Sequence, residues 1–267
     1  MRRGAGLSEV TVIKIGGATL GSHDTVITDV VKLQKRGESL LIVHGGAKVV
    51  TEWLERQGTP TRFVHGDRVT DQAALEMVTA VLGGLVNKEI VAAINSLGGQ
   101  AVGITGIDGN LFQGKIRDEE MGYVARIVRV NTALLEALLT TGFIPVVAPL
   151  GMHSFDKPDG APPMLNVNGD TVAGEIAAAT KAKRLIFLTD VAGIKDASGK
   201  LVAELSASEA EALIASGTVS GGMIPKIRAC LKALSPGSVA RIIDGRKSHA
   251  LLTEIEDGGV GTTIKCE

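Results

Sequence analysis

Short, continuously apolar runs alternate along the chain with segments whose apolar residues recur at helical spacing. Val10 to Ile15 predicts a buried strand, and the segment around 23–36 sets Val26, Ile27, Val30, Val31 and Leu33 on one helical face that Gly37 closes. Ser39 to Val43 predicts a second strand, followed by a helix near 47–57 that Gly58 and Pro60 stop. Residues 61–70 are short and extended, and Asp71 is placed to cap a long helix reaching Leu97. The same rhythm predicts a strand at 100–104, a helix at 131–141, a strand at 143–148, a helix at 170–181 and a strand at 184–189. Helices at 206–216 and 222–234, a strand at 239–243, a helix at 247–252 and a strand at 261–265 complete it. Two stretches break the rhythm. Residues 110–129, cut by Gly114 and Gly122, predict hairpins over the mouth of a site. Residues 152–165, with Pro158, Asp159, Gly160, Pro162 and Pro163, predict a second hairpin with a mobile tip. Alternating strands and helices imply an α/β protein with a largely parallel sheet covered on both faces.

Two of the predicted strands end in paired glycines: Val12-Ile13-Lys14-Ile15-Gly16-Gly17 and Ile42-Val43-His44-Gly45-Gly46. Glycine lets the main chain approach a phosphate closely and present its N–H groups. The pattern suggests two backbone cradles side by side at one sheet edge. Lys14, on the last turn of the first strand, would supply the positive charge that phosphoryl transfer needs. The reading is a kinase, but no GxxxxGK[ST] stretch occurs, so it is not of the P-loop type.

Composition narrows the classes. The 267 residues carry a net charge of −1, so no basic field attracts nucleic acid or an anionic membrane. One Trp and one Tyr leave few surfaces for base stacking. The two cysteines, Cys230 and Cys266, form no motif, which points to a reducing, cytoplasmic compartment. The five histidines are scattered and suggest no metal site. There is no signal peptide pattern, and no run of about 18 apolar residues is read as a membrane span. No linker marks a domain cut. The least arbitrary division falls near residue 168, giving 1–168 and 169–267.

Further candidates follow from what phosphoryl transfer requires. Lys226 stands at the start of a helix after Gly221, Gly222 and Pro225, where a lysine opposes the helix dipole and hints at a bound anion. Asn166, Asn168 and Asp170 alternate just before an apolar helix, more polar groups than a cap requires. Asp170 could hold two lysines, and Asn166 could bind substrate. Arg68 suits a bidentate clamp on a substrate carboxylate; the plainer alternative is a salt bridge to Asp67 or Asp71. Thr189, Asp190, Val191, Gly193 and Ile194 end a buried strand and suit a nucleotide base and ribose. His44 is read as a packed, hydrogen-bonded side chain.

These motifs, in this order and spacing from about residue 10 to 265, resemble the amino acid kinase family and, within it, the acetylglutamate kinases. The carriers are VIKIGG at 12–17, IVHGGA at 42–47, GDRVTD at 66–71, GGLVNK at 83–88, AVGITGIDG at 101–109, IPVVAPLG at 144–151, NVNGD at 166–170, LIFLTDVAGI at 185–194 and GGMIPK at 221–226. The resemblance implies a three-layer αβα sandwich with a mainly parallel sheet. It implies a lobe at 1–168 that binds the amino acid and dimerises, and a lobe at 169–267 that binds ATP. The implied reaction is attack of the γ-carboxylate of N-acetyl-L-glutamate on the γ-phosphate of Mg-ATP, a step of arginine biosynthesis, with Mg2+ held mainly by the nucleotide. Lys14 and Lys226 would stabilise the transferring group and Asp170 would orient them. Gly16, Gly17 and Gly46 would supply main-chain donors, with Gly45 also at the phosphate and Gly46 also at the substrate. Ala47, Arg68, Asn166 and Asn168 would meet the substrate. Residues Asp190 to Lys195, with Thr218, Val219, Ser220, Gly222 and Met223, would line the nucleotide.

The chain departs from the family pattern at Ala47, where HGGG is usual, and at Gly169, where NVNAD is usual. An alanine at 47 demands φ < 0. A glycine at 169 also resembles the related kinases of lysine biosynthesis, which act on 2-aminoadipate held on an acidic carrier protein. GDRVTD argues for the acetylglutamate type. A non-catalytic sensing module is disfavoured because Lys14, Lys226 and Asp170 are all present. Two further features bear on regulation. Residues 1–8 contain two glycines and do not suggest the N-terminal helix that links arginine-inhibited members into hexamers. Residues 245–254 and 259–262 nevertheless resemble the arginine-pocket segment. The expectation is a homodimer through the 71–97 helix, with weak or absent inhibition by arginine.

Overall fold

A computed structural model describes residues 9–17, 25–64 and 66–266. Alternation within three strands sets the layers. In β1 (Thr11–Ile15), β2 (Leu40–His44) and β10 (Arg184–Thr189), residues Val12, Leu41, Val43, Leu185 and Phe187 join one apolar cluster. Their neighbours Ile13, Ile15, Leu40, Ile42, Ile186 and Leu188 join another. Strands buried on both faces must be covered on both faces. The first cluster is closed by α5 (Ala133–Thr140), α6 (Gly169–Thr180), α7 (Ala207–Ala215) and α8 (Met223–Ala233). The second is closed by α1 (Thr25–Lys35), α2 (Ala47–Arg56), α3 (Gln72–Val78), α4 (Asn87–Ser96) and α9 (Ala250–Asp257). This is the three-layer αβα sandwich.

The remaining strands are β3 (Phe63–Val64), β4 (Asp67–Arg68), β5 (Ala101–Gly106), β6 (Phe112–Ile116), β7 (Val124–Val130), β8 (Ile144–His153), β9 (Met164–Val167), β11 (Glu204–Ser206), β12 (Val239–Asp244) and β13 (Gly261–Lys265). The large sheet has the order β11-β13-β12-β10-β1-β2-β8-β6-β7-β9, with β5 also on β8. β10, β1, β2 and β8 run parallel, while β6–β7, β8–β9 and β12–β13 are antiparallel. From β1 the chain builds outward on one side, then returns to add β10 and β12 on the other. The carboxyl end of β1 therefore stands at a switch point, where open α/β sheets bind ligands. The sheet is continuous across residue 168.

Most predicted elements lie within a few residues of their places, and both hairpins form, as β6–β7 and β8–β9. Four differences stand out. Asp71 caps α3 through the Ala74 N–H (2.8 Å), but the long helix contains a π-helical stretch at Thr79–Val86, which includes Gly83 and Gly84. β8 runs to His153, five residues past its expected end, because both β5 and the returning β9 pair with it. The strand Glu204–Ser206 was not anticipated; three residues give no periodicity to read. By length and composition, Gln72–Ser96 also passes as a membrane-crossing helix, contrary to the expectation that no such run exists; Leu75, Val78, Val86, Ile90 and Ile94 on it are buried. The start of the first helix at 23–24, residues 1–8 and His65 lie outside the described residues.

Candidate active site

Parity along β1 and β2 decides which side chain faces which layer. Lys14 shares a face with Val12, so it points toward α6 and α8. His44 shares a face with Ile42, so it points toward α3 and α4. α6 begins at Gly169, its N-terminus capped by Asn168, whose Oδ1 accepts from the Asp170 and Thr171 N–H groups. α8 packs tightly on α6 at Gly174, where an added Cβ would stand 2.7 Å from the Ala229 Cα. That close approach brings the first turns of the two helices together.

The result is a carboxylate between two ammonium groups. Lys14 Nζ lies 2.5 Å from Asp170 Oδ1, and Lys226 Nζ lies 3.0 Å from Asp170 Oδ2. Lys226 also donates to the Gly222 carbonyl at 3.1 Å. Burial pushes the Asp170 carboxyl up, but Lys14 and Lys226 outweigh it and hold the group below its ordinary value. Two cations on one anion leave a net charge of +1, aimed at the cavity that both lysines line.

The glycine pairs meet beside this centre. A Cβ on Gly17 would stand 3.5 Å from the Gly46 nitrogen, and one on Gly45 would stand 3.8 Å from Lys14 Nζ. The Gly16 and Gly45 N–H groups bond to Leu188 and Ile15 carbonyls, extending the sheet by one residue. No acceptor among the described residues takes the N–H of Gly17 or Gly46. Gly46 has φ 150, and a Cβ there would lie 2.6 Å from Leu82 Cδ2, so only glycine fits. Ala47 follows as the first residue of α2, where helical backbone accepts its Cβ. At Gly169 an added Cβ would meet its nearest neighbour, the His44 carbonyl, at 3.4 Å. Space does not demand the glycine there.

A cavity of about 350 Å³ opens from this centre. Gly17, Gly45, Gly46, Ala47, Arg68, Asn166, Asn168, Asp170 and both lysines line it, whereas Gly16, expected to supply a main-chain donor, does not line it and spends its N–H on the Leu188 carbonyl. Arg68 makes neither of the salt bridges weighed as its alternative. Asp67 instead pairs with Arg117 (2.6 Å) and accepts from Asn168 (2.5 Å), and Asp71 caps α3. Arg68 Nη2 donates to the Ala47 carbonyl (2.8 Å) and the Thr51 hydroxyl (2.6 Å), and its guanidinium stacks on Phe63. Its Nη1 is buried without a partner among the described residues. Burial lowers the Arg68 pKa, yet an arginine stays charged. With Nη2 committed to Ala47 and Thr51, the expected bidentate clamp is not open, and Nη1 is the nitrogen left for an incoming carboxylate. Asn166 Nδ2 donates to the Thr70 hydroxyl at 3.0 Å.

The nucleotide candidates sit one strand over, after β10. Asp190, Val191 and Lys195 are exposed there, as is Ser220 before α8. Ile194 and Val219 are buried, with their side chains in the core, and the Ile194 N–H donates to Thr262 Oγ1 (2.8 Å). Gly193 has φ 147 and packs against that same threonine. Val191 N–H is received by the Thr189 hydroxyl, Ser216 bonds to Thr218, and Met223 N–H reaches the Ser220 carbonyl. Gly193, Ile194 and Val219 are thus packed into the fold, Asp190, Val191, Lys195 and Ser220 are exposed beside them, and none of these residues lines the cavity at Lys14. Sequence reasoning missed Gly174, Asn87 and Lys48. Lys48 lines the cavity from the first turn of α2, and its opposition to the helix dipole was the signal available.

Asp170 and Asp67 are both taken up by cations or amides, and no cluster of three metal-ligating side chains occurs among the described residues.

A model of the amino acid kinase family matches residues 9–244. The acetylglutamate kinase of Dehalococcoides mccartyi (strain CBDB1) is 49% identical over 96% of this chain and 94% of that protein. That of Cereibacter sphaeroides (strain ATCC 17029 / ATH 2.4.9) is 45% identical over 96% of this chain and 87% of that protein. Among solved structures, the N-acetylglutamate synthase of Neisseria gonorrhoeae, complexed with coenzyme A and N-acetyl-glutamate, superposes with a TM-score of 0.82. It is 27% identical, and the match covers 97% of this chain and 60% of that one. The carbamate kinase of Giardia lamblia bound to AMP-PNP superposes with a TM-score of 0.69 at 17% identity, over 99% of this chain and 100% of that one, a likeness of fold alone.

Proposed function

This chain belongs to the amino acid kinase family, and we propose that it is an acetylglutamate kinase. It transfers the γ-phosphoryl group of ATP to the γ-carboxylate of N-acetyl-L-glutamate, the second step of arginine biosynthesis. The observation that carries this reading is Asp170 held between Lys14 and Lys226 at the meeting of two glycine cradles.

The chemistry follows from charge and position. The γ-carboxylate oxygen attacks phosphorus, the bond to the ADP oxygen breaks, and the products are an acyl phosphate and ADP. Lys14 and Lys226 face the equatorial and leaving oxygens, where negative charge develops. Asp170 holds them in place before substrate arrives. The N–H groups of Gly17 and Gly46, which no acceptor among the described residues takes, donate to phosphoryl oxygens. Arg68 Nη1 and Asn166 hold the amino acid, with the 1–168 lobe supplying that half and the 169–267 lobe the nucleotide half. Mg2+ arrives on the nucleotide phosphates as part of Mg-ATP. The Gly169 departure does not favour the aminoadipate alternative, since an alanine there meets ordinary contacts.

A homodimer in the cytoplasm is part of the same reading. Ala73, Ala80, Leu85, Ala92 and Leu97 leave an exposed apolar face on the 72–97 segment, the face a second copy would cover. Weak or absent inhibition by arginine belongs to this reading too: within the 245–254 segment that resembles an arginine pocket, the Glu254 carboxylate is already paired with Arg241 of the same chain at 2.6 and 2.8 Å.

The test is ADP release by the purified protein with N-acetylglutamate, glutamate, aspartate and carrier-linked aminoadipate, with and without arginine. Turnover with N-acetylglutamate alone supports the reading. Turnover only with the carrier-linked substrate moves it to lysine biosynthesis, and no turnover with any of them sinks it.

A further inference from the structure

The GGLVNK segment carries a buried polar group that the chemistry above does not use. Asn87 is fully buried at the point where the π-helical stretch Thr79–Val86 gives way to α4. Its Nδ2 faces His44 Nε2 at 3.2 Å and the Val146 carbonyl at 2.9 Å. Its Oδ1 accepts from Lys88 Nζ at 3.1 Å, and Lys88 also reaches the Gly103 carbonyl at 3.0 Å. His44 is itself fully buried, and its Nδ1 lies 2.8 Å from the Gly45 carbonyl.

These contacts fix a tautomer. A carbonyl only accepts, so His44 Nδ1 carries the proton. Nε2 is then an acceptor, which is the role the Asn87 amide requires. The Gly45 carbonyl belongs to the Gly45–Gly46 peptide, whose other end is the unpartnered Gly46 N–H. Gripping the carbonyl therefore sets the direction of that N–H. Gly46, at φ 150, has no side chain of its own to hold the peptide.

We propose that Asn87 is a positioning residue for phosphoryl transfer, acting through the neutral Nδ1–H tautomer of His44 to aim the Gly46 N–H at the transferring group. The sheet supplies the location and the relay supplies the orientation. Catalysis by preorganised donors depends on the latter, because a donor that must turn toward the developing charge loses much of its effect. Burial, against the hydrogen bond to Gly45 and aided by the charges of Lys14 and Lys88, lowers the His44 imidazole to about 4. The ring accordingly stays neutral through the working range.

The test uses the full chain and has two arms. In nitrogen-15 histidine spectra of the wild type without ligand, His44 shows a protonated Nδ1 and a bare Nε2. A protonated Nε2 in the neutral ring overturns the relay. In Asn87→Leu, verified as folded by a cooperative melt, Nε2 loses its donor and kcat falls roughly 10- to 100-fold, with KM for both substrates within about 3-fold. A kcat within about 2-fold of wild type contradicts the proposal. Where Asn87→Leu does not fold, Asn87→Asp serves: the introduced carboxylate cannot donate to Nε2, so His44 takes up a second proton near neutral pH. Persistence of a bare Nε2 in that variant overturns the relay. The kinetic arm rests on the phosphotransfer reading and the tautomer arm does not. A wild type inactive toward N-acetylglutamate thus sinks that reading and leaves the relay to be judged by the spectra.

Discussion

The two strand–glycine–glycine segments look like echoes of each other, yet they do different work. In the first, the polar residue is Lys14, two positions before Gly16; in the second it is His44, directly before Gly45. The strands are parallel, with Lys14 beside Val43 and Ile15 beside His44. A shift of one position sends the two side chains to opposite faces of the sheet. Lys14 reaches the α6 and α8 layer and lies between the Asp170 carboxylate and the cavity. His44 enters the opposite layer, where burial keeps it neutral. One cradle carries charge and the other carries geometry.

The largest effect should come from breaking the charged side. Lys14→Met is expected to lower kcat by about 10³-fold while leaving the fold intact, checked by ADP release and circular dichroism. Gly174→Val attacks the same centre indirectly. Its side chain would be driven into Ala229 and part α6 from α8, costing about 1–3 kcal/mol of stability and loosening the pair between Asp170 and Lys226. Chemical denaturation together with kcat reads both consequences.

The geometric side should break differently. Gly46→Ala meets Leu82 and an unfavourable φ, and is expected to lose about 1–3 kcal/mol by urea unfolding. Gly45→Ala has no such backbone strain and should lose less. His44 gives a pH signature. Its folded pKa of about 4 lies below the ordinary 6.5, so its neutral form stabilises the fold above pH 6.5, and that stability is lost as pH falls from 6.5 through 4. The loss amounts to roughly 3 kcal/mol by linkage. Urea midpoints across that window, compared with those of His44→Gln, should show the wild type falling more steeply. The smallest effect is expected at Gly169→Ala, with KM for N-acetylglutamate changing less than about 2-fold, because the added Cβ meets only ordinary contacts.

Much of this comparison was legible before the structure. Both cradles, Lys14, Lys226, Asp170 and Arg68 stand at strand ends or helix starts, where local pattern and ligand chemistry coincide. His44 could be read as packed, but not as the grip on a carbonyl, because its partner Asn87 is 43 positions away on another element. Gly174 was invisible for a related reason. A glycine within a run of small helical residues is ordinary until another helix is known to cross it. The π-helical stretch escaped because TAVLGGLV is apolar almost throughout and carries no periodicity to read. Local chemistry is written in sequence neighbours; the supports behind it are written in the packing of distant elements.

The most direct measurement of the central claim is hydroxylamine trapping of the acyl phosphate formed from ATP and N-acetylglutamate, run on the wild type and on Lys14→Met in parallel. The account predicts hydroxamate from the wild type with N-acetylglutamate and not with glutamate, and about 10³-fold less from the variant. Hydroxamate formed as readily from glutamate, or a variant within about tenfold of wild type, would contradict it.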